Sequence, residues 1–435
     1  YKTTNGGKSW KSITKGIPDG TLIWRLVQDH VNPQLLFLGT EYGVYVSLNQ
    51  GEAWHKFSNG MPTISVRDLA IQKRENDLVA ATFGRSFYIL DDYSPLRTIS
   101  DKNLAKGDQL FPVEKALQYV QVRGGTSSQG ASFFTAKNPT YGAQFTYYIA
   151  NDTKTMKAKR KASEKKLKKD NKDIPFPGWE ALDAENFEKK PQAILRVTDA
   201  SGKVLTEITG AYSKGIHRKH WDLRERLASA LDIHSSRDSG IGLRSNVAPG
   251  TYYVQLFKKH KGALRQLTPK EAFEVARLRQ HVLTNPKAAL HDAYKAKLNA
   301  LYVKSEIMDK KLEKTKKKIT ALSKAIGFAQ ANQDVLHKKV YDLQKQHFDL
   351  ARKIDGSEAK GEVGEKDTPT LSFRISVASR GFYSNTYGPT AMHMESYDMA
   401  VALLNALVPQ VDALAAATAK AISDSQALGL PVIID

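Results

Sequence analysis

Residues 3–10 of the chain read TTNGGKSW, and residues 47–54 read SLNQGEAW. The two stretches begin about 44 positions apart, and the segments after them also repeat, with Gly-Ile-Pro at 16–18 and Gly-Met-Pro at 60–62. A repeat of this length, punctuated by glycine and aromatic residues, is typical of the blades of a β-propeller. The shared positions are Thr3, Asn5, Gly7 and Trp10 in the first copy and Ser47, Asn49, Gly51 and Trp54 in the second.

The chemistry of a tight turn explains all four shared positions. The asparagine side chain can accept a backbone N–H two residues on, and the glycine can adopt the positive φ that such a turn needs. The hydroxyl group can cap the turn from the other side, and the tryptophan can start the next strand with its ring buried between sheets. None of these groups is arranged for proton transfer or metal binding, so both copies are predicted to be structural.

The two stretches resemble Asp-boxes, the repeats of sialidase-like, BNR and sortilin (VPS10-like) propellers, with asparagine in place of the usual aspartate. Residues 81–96, ATFGRSFYILDDYSPL, resemble the last-blade signature of bacterial BNR/sortilin-like proteins that are often labelled glycosyl hydrolases. In that group an Ig-like module and a helical tail follow the propeller. The resemblance therefore implies a multidomain β and α fold: terminal propeller blades, an Ig-like β-sandwich and a C-terminal antiparallel helical bundle.

The first predicted domain, residues 1–105, holds about two blades. Its strand-like runs, bounded by Gly, Pro and Asn, are residues 22–28, 34–40, 44–47, 66–71, 78–82 and 86–90. A propeller closes with about four to eight blades. We therefore expect the natural polypeptide to continue upstream of Tyr1 with several hundred residues, which would carry the other blades and a secretion signal.

The second predicted domain, residues 106–280, has the strand pattern of an Ig-like β-sandwich. Its strand-like runs are residues 144–149, 193–198, 204–208, 215–223 and 251–256. A lysine-rich insertion at 152–190 interrupts this domain. The dense part, 154–172, is expected to be a solvated helix, and the alternative is a basic patch for an anionic surface.

The third predicted domain, residues 281–435, changes to helical periodicity. Two heptad-spaced helices joined by a short loop at 327–332 are expected to form an antiparallel hairpin. Two further helices are expected near 391–407 and 411–423, with Pro409 breaking or kinking the chain between them. Together these form a predicted four-helix bundle for docking or spacing. The heptad-like positions are Leu298, Leu301, Ser305, Met308, Leu312, Thr315, Ile319, Leu322 and Ile326, then Leu336, Val340, Leu343, His347, Leu350 and Ile354.

Composition sets wider limits. The 435 residues include no cysteine, which excludes disulfides and thiolate metal or redox sites. The net charge of +20 fits either a lysine-rich soluble surface or an anionic partner. Nucleic acid is not expected as the partner, because the lysines alternate with acidic residues instead of clustering with stacking aromatics. No apolar run is expected to span a bilayer.

The sequence contains no recognisable catalytic motif, so no catalytic, cofactor-binding or metal-binding residue is predicted. His217 and His220 should lie on opposite faces of a strand, and His347 occupies a core position of a heptad. The adjacent Asp91 and Asp92 are expected in a turn, since neighbours on a strand end point to opposite sides. A possible binding loop contains Phe382, Tyr383 and Tyr387.

Three functions follow from the resemblance. The preferred one is a binding or scaffold protein, secreted, periplasmic or on the outer-membrane surface of a bacterium, that holds a protein, peptide or glycan on the full propeller. The alternative is a glycoside hydrolase whose catalytic acids lie upstream of this segment, so whether the full protein is an enzyme stays open. The third is an accessory subunit of a membrane-associated or surface assembly, docked through the helical bundle.

Overall fold

The structure, a computed structural model, describes the chain except residues 59, 120–135, 137, 231–240, 280–287, 330–332, 384–387, 427–428, 432 and 434–435. It contains several β-sheets and a C-terminal helical segment, which confirms the predicted fold class at that level. The chain divides into two compact units, whereas three domains were predicted from sequence. The first unit is Tyr1–Leu117, Gly125–Asp222 and Pro249–Ala276, and the second is Gln118–Gly124, Leu223–Ala248 and Arg277–Asp435.

The first unit begins with two antiparallel sheets whose strands are in chain order. The first sheet contains β1 (Ile23–Gln28), β2 (Leu36–Thr40), β3 (Gly43–Ser47) and β4 (His55–Phe57). The second sheet contains β5 (Val66–Gln72), β6 (Asp77–Thr82) and β7 (Phe87–Leu90). All six strand runs predicted within residues 1–105 are confirmed.

Side chains are buried on both faces of the first sheet. Successive side chains of a strand point to opposite sides, so the same strands contribute to both clusters. On one face, Phe37 meets the ring of Tyr93 edge-on, with 5.1 Å between the ring centroids. The buried residues of this core between the two sheets are Leu35, Phe37, Val44, Val46, Val66, Leu69, Leu78, Ala80 and Tyr93. The other face buries a smaller cluster of Leu36, Leu38, Tyr45 and Trp54, with Ile17 packed against it.

The rest of the first unit is a pair of sheets. After a short helix, α1 (Asp101–Leu104), the strands are β8 (Gln109–Leu110), β9 (Ala116–Gln118), β10 (Ala143–Ile149), β11 (Gln192–Thr198), β12 (Val204–Ala211) and β13 (Gly215–Trp221). They are followed by β14 (Arg224–Ala228), β15 (Ile241–Asn246), β16 (Gly250–His260), β17 (Ala263–Gln266) and β18 (Glu271–Arg277). Two helices, α2 (Met156–Lys169) and α3 (Trp179–Phe187), lie between β10 and β11. One sheet has the order β12-β11-β16-β18-β9 with β17 also paired to β16, and the other has the order β13-β10-β8. Strands β14 and β15 pair with each other in the second unit.

Aromatic side chains fill the space between these two sheets. Phe145 of β10 meets Phe273 of β18 at 5.4 Å between ring centroids, and Trp221 of β13 lies 5.6 Å from Tyr252 and 6.0 Å from Phe273. Trp221 is almost fully buried. Two antiparallel sheets packed face to face in this way form a β-sandwich.

The second unit is mainly helical. Its helices are α4 (Ala288–Ala325), α5 (Gln333–Asp355), α6 (Glu358–Glu362), α7 (Leu371–Tyr383) and α8 (Ala391–Gln426). Four of them, α4, α5, α7 and α8, share one apolar core. Every predicted heptad position except the partly buried His347 is buried, so the helical periodicity is confirmed.

The last 70 residues differ from the prediction in two ways. Helix α8 contains Pro409 inside one continuous helix, so the expected division into two helices, near 391–407 and 411–423, is wrong. Buried Leu404 and Leu407 before the proline and Val411 and Leu414 after it face the same core, and this packing offsets the roughly 3 kcal/mol that an interior proline costs. Helix α7, which was not predicted, therefore supplies the fourth helix of the core.

Candidate functional site

The two repeated turns, at residues 3–10 and 47–54, have the same hydrogen bonds. In the second turn, the backbone N–H of Gly51 donates to Ser47 Oγ at 2.8 Å, and the N–H of Ala53 donates to Asn49 Oδ1 at 3.0 Å. The Ser47 hydroxyl also donates to Asn49 Oδ1 at 2.9 Å. The equivalent bonds of the first turn, among Thr3, Asn5, Gly7 and Ser9, measure 2.9, 3.0 and 3.0 Å. Each asparagine thus accepts a backbone N–H four residues on, whereas two was expected.

The glycines of the turns have the positive φ that was predicted, +89° at Gly7 and +88° at Gly51. The tryptophans differ. Trp54 is buried, and its indole N–H donates to the carbonyl of Ile13 at 2.7 Å. Trp10 is 62% exposed, so its predicted burial is wrong. The segment after the first turn covers Trp54, with Ile13 accepting from its indole and Ile17 packed against its cluster.

An exposed aromatic and arginine cluster lies where β1 and β5 approach each other. The guanidinium carbon of Arg67 on β5 lies 3.8 Å from the ring centroid of Trp24 on β1 and 5.1 Å from that of Phe83. Trp24 is 39% exposed and Phe83 is 69% exposed. A planar guanidinium can stack on an aromatic ring while its N–H donors, which lie in the plane of the guanidinium, stay free to bind a ligand. We call these three residues the stacked cluster.

The surroundings of the stacked cluster are also open and partly apolar. Arg25 Nε lies 3.2 Å from Asp68 Oδ1, and this ion pair is exposed on both sides. Strands β1 and β5 are edge strands of their sheets. The exposed apolar side chains of β1 also include Ile23 and Leu26. Such an apolar surface with arginine and tryptophan has the composition of a binding site.

A buried carboxylate lies at the end of β1. Asp29, which follows β1, is fully buried and accepts hydrogen bonds from Arg97, Tyr93 and the backbone N–H of Asn32. Burial on its own would raise the pKa of Asp29, but these bonds outweigh it and hold the pKa well below its usual range. A carboxylate that is ionised and fully bonded serves as an anchor, not as a proton donor.

The adjacent acids Asp91 and Asp92 form a turn. Asp92 has a φ of +44°, and its Oδ1 accepts from the backbone N–H of Ser94 at 3.1 Å. The Arg218 side chain donates to the backbone carbonyls of Asp91 and Asp92, which fixes the turn to β13. The two side chains are not arranged as a pair facing one substrate, in agreement with the predicted turn.

His217, His220 and His347 make separate contacts. His217 Nε2 lies 2.7 Å from the carbonyl of Ser213, and His220 Nε2 lies 3.0 Å from Gln144 Oε1. His347 lies on α5, in the other unit. Within the part of the chain that the structure describes, no group of three or more His, Cys, Asp or Glu could hold a metal ion.

The predicted binding loop is largely outside the described residues. Phe382 and Tyr383 belong to the last turn of α7 by their backbone, so their assignment to a loop is wrong, and their side chains are not described. The helical pattern of α7, with Leu371, Ile375 and Ala378 buried, continues to its end. Tyr387 lies outside the described residues.

A cleft of about 680 Å³ in the second unit is lined by residues of α5, α8 and the segment before α7. Two of its charged groups, Asp367 and Lys353, have partners. Asp367 accepts from the backbone N–H groups of Ser357 and Thr368 and from Lys360, which lowers its pKa to about 2. Lys353 donates to Gln410 at 3.1 Å. These contacts close the end of the helical core and present no convergent reactive groups.

Helix α8 is long and apolar enough to cross a membrane by length and composition, with a mean hydropathy of 1.6 in its most apolar window. The expectation that no segment passes this test is therefore wrong. The same helix contributes Ala400, Leu404 and Leu407 to the core of the helical unit. A core helix of this kind passes the test as readily as a membrane span does.

No protein-family model matches the chain, and no curated protein matches it. Among solved structures, the chain is similar to the extracellular domain of a putative one-component system from B. thetaiotaomicron, with a TM-score of 0.14 and 10% identity. The match covers 59% of this chain and 25% of that chain. A likeness at this TM-score carries no argument, so the functional proposal depends on the geometry of the stacked cluster.

Sequence reasoning missed the stacked cluster. Trp24 and Arg67 are 43 positions apart and lie on strands of different sheets, so no spacing rule brings them together. One signal was present: β1 reads IWRLVQ, in which large apolar residues occupy both alternate sets of positions. A strand at the edge of a sheet with apolar residues on both faces has a surface to cover.

Proposed function

We propose that this chain is a binding and scaffold protein, and that its first two sheets are propeller blades that hold a polypeptide ligand against the stacked cluster. The observation that carries the proposal is the position of Arg67 between the exposed rings of Trp24 and Phe83. Tryptophan and arginine are enriched among the residues that dominate binding energy in interfaces. The protein would act outside the cell or at the bacterial envelope, as the resemblance to secreted propellers implies.

An extended polypeptide fits this surface better than a compact ligand. Strands β1 and β5 end their sheets, and edge strands can add a peptide strand through backbone hydrogen bonds. The rings of Trp24 and Phe83 would then receive alternate side chains of the peptide, and Arg67 would pair with a carboxylate or a backbone carbonyl. A peptide with acidic and apolar residues in alternation is the expected ligand.

Selection from a random peptide-display library against the 435-residue chain tests the proposal with defined probes. The enriched peptides are synthesised, and their dissociation constants are measured by calorimetry. Truncation of Trp24 to alanine should weaken binding by about 30-fold or more, since a central interface residue contributes about 2 kcal/mol or more. The matched control is Phe348→Ala, which removes a side chain that is 63% exposed on α5.

Two outcomes contradict the proposal. In the first, no peptide is enriched, or the enriched peptides bind Trp24→Ala and wild type equally. In the second, the protein releases reducing sugar from a panel of glycans, which would favour the glycoside hydrolase. Binding to a glycan array without turnover, abolished by Trp24→Ala, would keep the binding function but change the ligand class from polypeptide to glycan.

A further inference from the structure

The lysine-rich insertion between β10 and β11 forms two helices, α2 (Met156–Lys169) and α3 (Trp179–Phe187). Helix α2 has seven lysines and one arginine against a single glutamate, and none of its residues is buried. The net charge of this one helix is therefore +7, about a third of the net charge of +20 of the whole chain. The expected helix is present and exposed, and the choice between a solvated surface and a basic patch depends on why its charge is concentrated.

The only arginine of α2 is used inside the insertion. Arg160 donates to both carboxylate oxygens of Glu185 on α3, at 2.7 and 2.8 Å, and also to Glu164. Met156, Arg160, Glu164 and Leu167 are partly buried at helical spacing, whereas the seven lysines are exposed. Helix α2 thus packs one stripe against α3 and presents its lysines to solvent.

The insertion is fixed to the sandwich at its base. The carboxylate of Glu188, directly after α3, accepts from the backbone N–H of Met156. The same carboxylate lies 3.3 Å from His260 Nε2 and 3.4 Å from Lys261 Nζ, at the turn between β16 and β17. These contacts hold the two helices at a defined position, so the lysines belong to a built surface and not to a free tail.

Beside this charge, the insertion exposes large apolar side chains. Phe176 is 63% exposed, Trp179 is 75% exposed and Phe187 is 89% exposed, and Ile174 is also exposed. The rings of Phe176 and Trp179 meet edge-on, with 5.0 Å between their centroids. Only a few residues separate this aromatic pair from the four lysines in the last turns of α2. The exposure of these apolar side chains to water is unfavourable in free energy, and a partner that covered them would remove this penalty.

We propose that this insertion binds the surface of an anionic phospholipid bilayer, with the α2 lysines over the headgroups and the aromatic side chains of residues 174–187 in the interfacial layer. Lysine clusters are attracted to anionic lipid by about 1 kcal/mol per residue, and tryptophan prefers the interface between headgroups and acyl chains. This inference uses a different surface from the stacked cluster and does not depend on it.

The composition favours a bilayer over a nucleic acid. The bidentate contacts with phosphates and base edges in nucleic acids are made by arginine, and the one arginine of α2 is bound to carboxylates, which leaves only lysines as point charges. Base stacking uses flat aromatic platforms, whereas this cluster includes the aliphatic Ile174 and an edge-on ring pair. A mixture of aromatic and aliphatic side chains beside lysines is the composition of a membrane-interface segment.

Cosedimentation of the 435-residue protein with vesicles tests the charge contribution. We expect binding to phosphatidylcholine vesicles that contain phosphatidylglycerol, no binding to phosphatidylcholine alone, and release by salt. The variant K165Q/K166Q/K168Q/K169Q should weaken the vesicle partition coefficient by more than about tenfold. The charge-matched control K304Q/K314Q/K316Q/K324Q removes four exposed lysines from α4 and should bind like wild type.

Fluorescence tests the insertion of the aromatic pair. The fluorescence of Trp179 is the part of the wild-type tryptophan emission that the Trp179→Phe variant lacks. Vesicles of phosphatidylglycerol and phosphatidylcholine brominated on its acyl chains should quench this part. The variant F176A/W179A should bind the same vesicles about tenfold more weakly, since it loses two interfacial aromatic side chains. Its control, F328A/F348A, removes two exposed rings from the helical unit. Circular dichroism verifies that each variant is folded.

Three results would overturn the proposal. One is the absence of binding to phosphatidylglycerol vesicles. Another is equal loss in both lysine variants, which would indicate attraction by the net charge alone. The last is vesicle binding that F176A/W179A leaves unchanged, or binding to RNA or an anionic polysaccharide in place of vesicles. Failure here would leave peptide binding at Trp24 intact, so the two proposals are tested separately.

Discussion

Arg97 binds both carboxylate oxygens of Asp29, although 68 positions separate the two residues. Arg97 Nε lies 2.8 Å from Oδ2 and Nη2 lies 2.9 Å from Oδ1, and the Tyr93 hydroxyl donates to Oδ1 at 2.6 Å. Asp29 follows β1 of the first sheet, and Arg97 follows β7 of the second. The pair therefore joins the two sheets and holds their relative position.

Loss of this ion pair should strongly destabilise the protein. Arg97→Met leaves the fully buried Asp29 carboxylate without its charge partner, which costs about 3–5 kcal/mol in the free energy of unfolding. Arg74→Met is the control, because the Arg74–Glu75 pair is exposed and should contribute at most about 1 kcal/mol. Urea unfolding of the two variants measures the difference. Equal losses would show that the buried pair is not a main contact between the sheets.

The two repeated turns provide a matched comparison of tryptophans. Trp54→Ala removes a buried ring and its hydrogen bond to Ile13, and should lower the free energy of unfolding by about 3–5 kcal/mol. Trp10→Ala removes a ring that is 62% exposed and should change the free energy of unfolding by about 0.5 kcal/mol or less. Thermal and urea unfolding of the 435-residue chain give both values. A large loss for Trp10→Ala would mean that its ring is covered.

Stability should fall as the pH drops below the ordinary pKa of histidine. Burial, together with the nearby charge of Arg218, lowers the pKa of His220 in the folded protein. The unfolded chain therefore binds the proton more readily, so the stability is complete above about pH 6.5 and is lost on acidification below it. His220→Gln keeps a polar partner for Gln144 and should flatten this pH dependence.

Urea midpoints across this range measure the effect. The exposed His55 provides the control, and His55→Gln should leave the pH dependence of wild type in place. A wild-type midpoint that does not change across this range, or an equal slope in His220→Gln, would contradict the assignment of the effect to His220.

Local patterns in the sequence predicted the elements well. The repeated asparagine, glycine and hydroxyl positions predicted two turns whose hydrogen bonds agree in all three equivalent distances to within 0.1 Å. The three-and-four spacing from Leu298 to Ile354 predicted the buried stripes of α4 and α5. These features depend on neighbours in sequence, which is why single-sequence reasoning reached them.

Contacts between distant segments could not be predicted. The pairing of Asp29 with Arg97 and the stacking of Arg67 on Trp24 and Phe83 depend on how two sheets approach each other. The continuity of α8 through Pro409 could not be predicted either, because burial on both sides of the proline outweighs the local preference to end the helix. The propeller and Ig-like assignments remain predictions, since they concern architecture beyond these contacts.

Hydrogen exchange of the backbone amides tests the central claim most directly, that the stacked cluster and its edge strands hold an extended polypeptide. The protein is labelled in deuterated water with and without a peptide selected by display, and exchange is read by mass spectrometry. We predict that the peptide slows exchange in β1 and β5 and in the segment around Phe83, and that Trp24→Ala abolishes this protection. Protection confined to the sandwich or the helices, with β1 and β5 unchanged, would contradict the account.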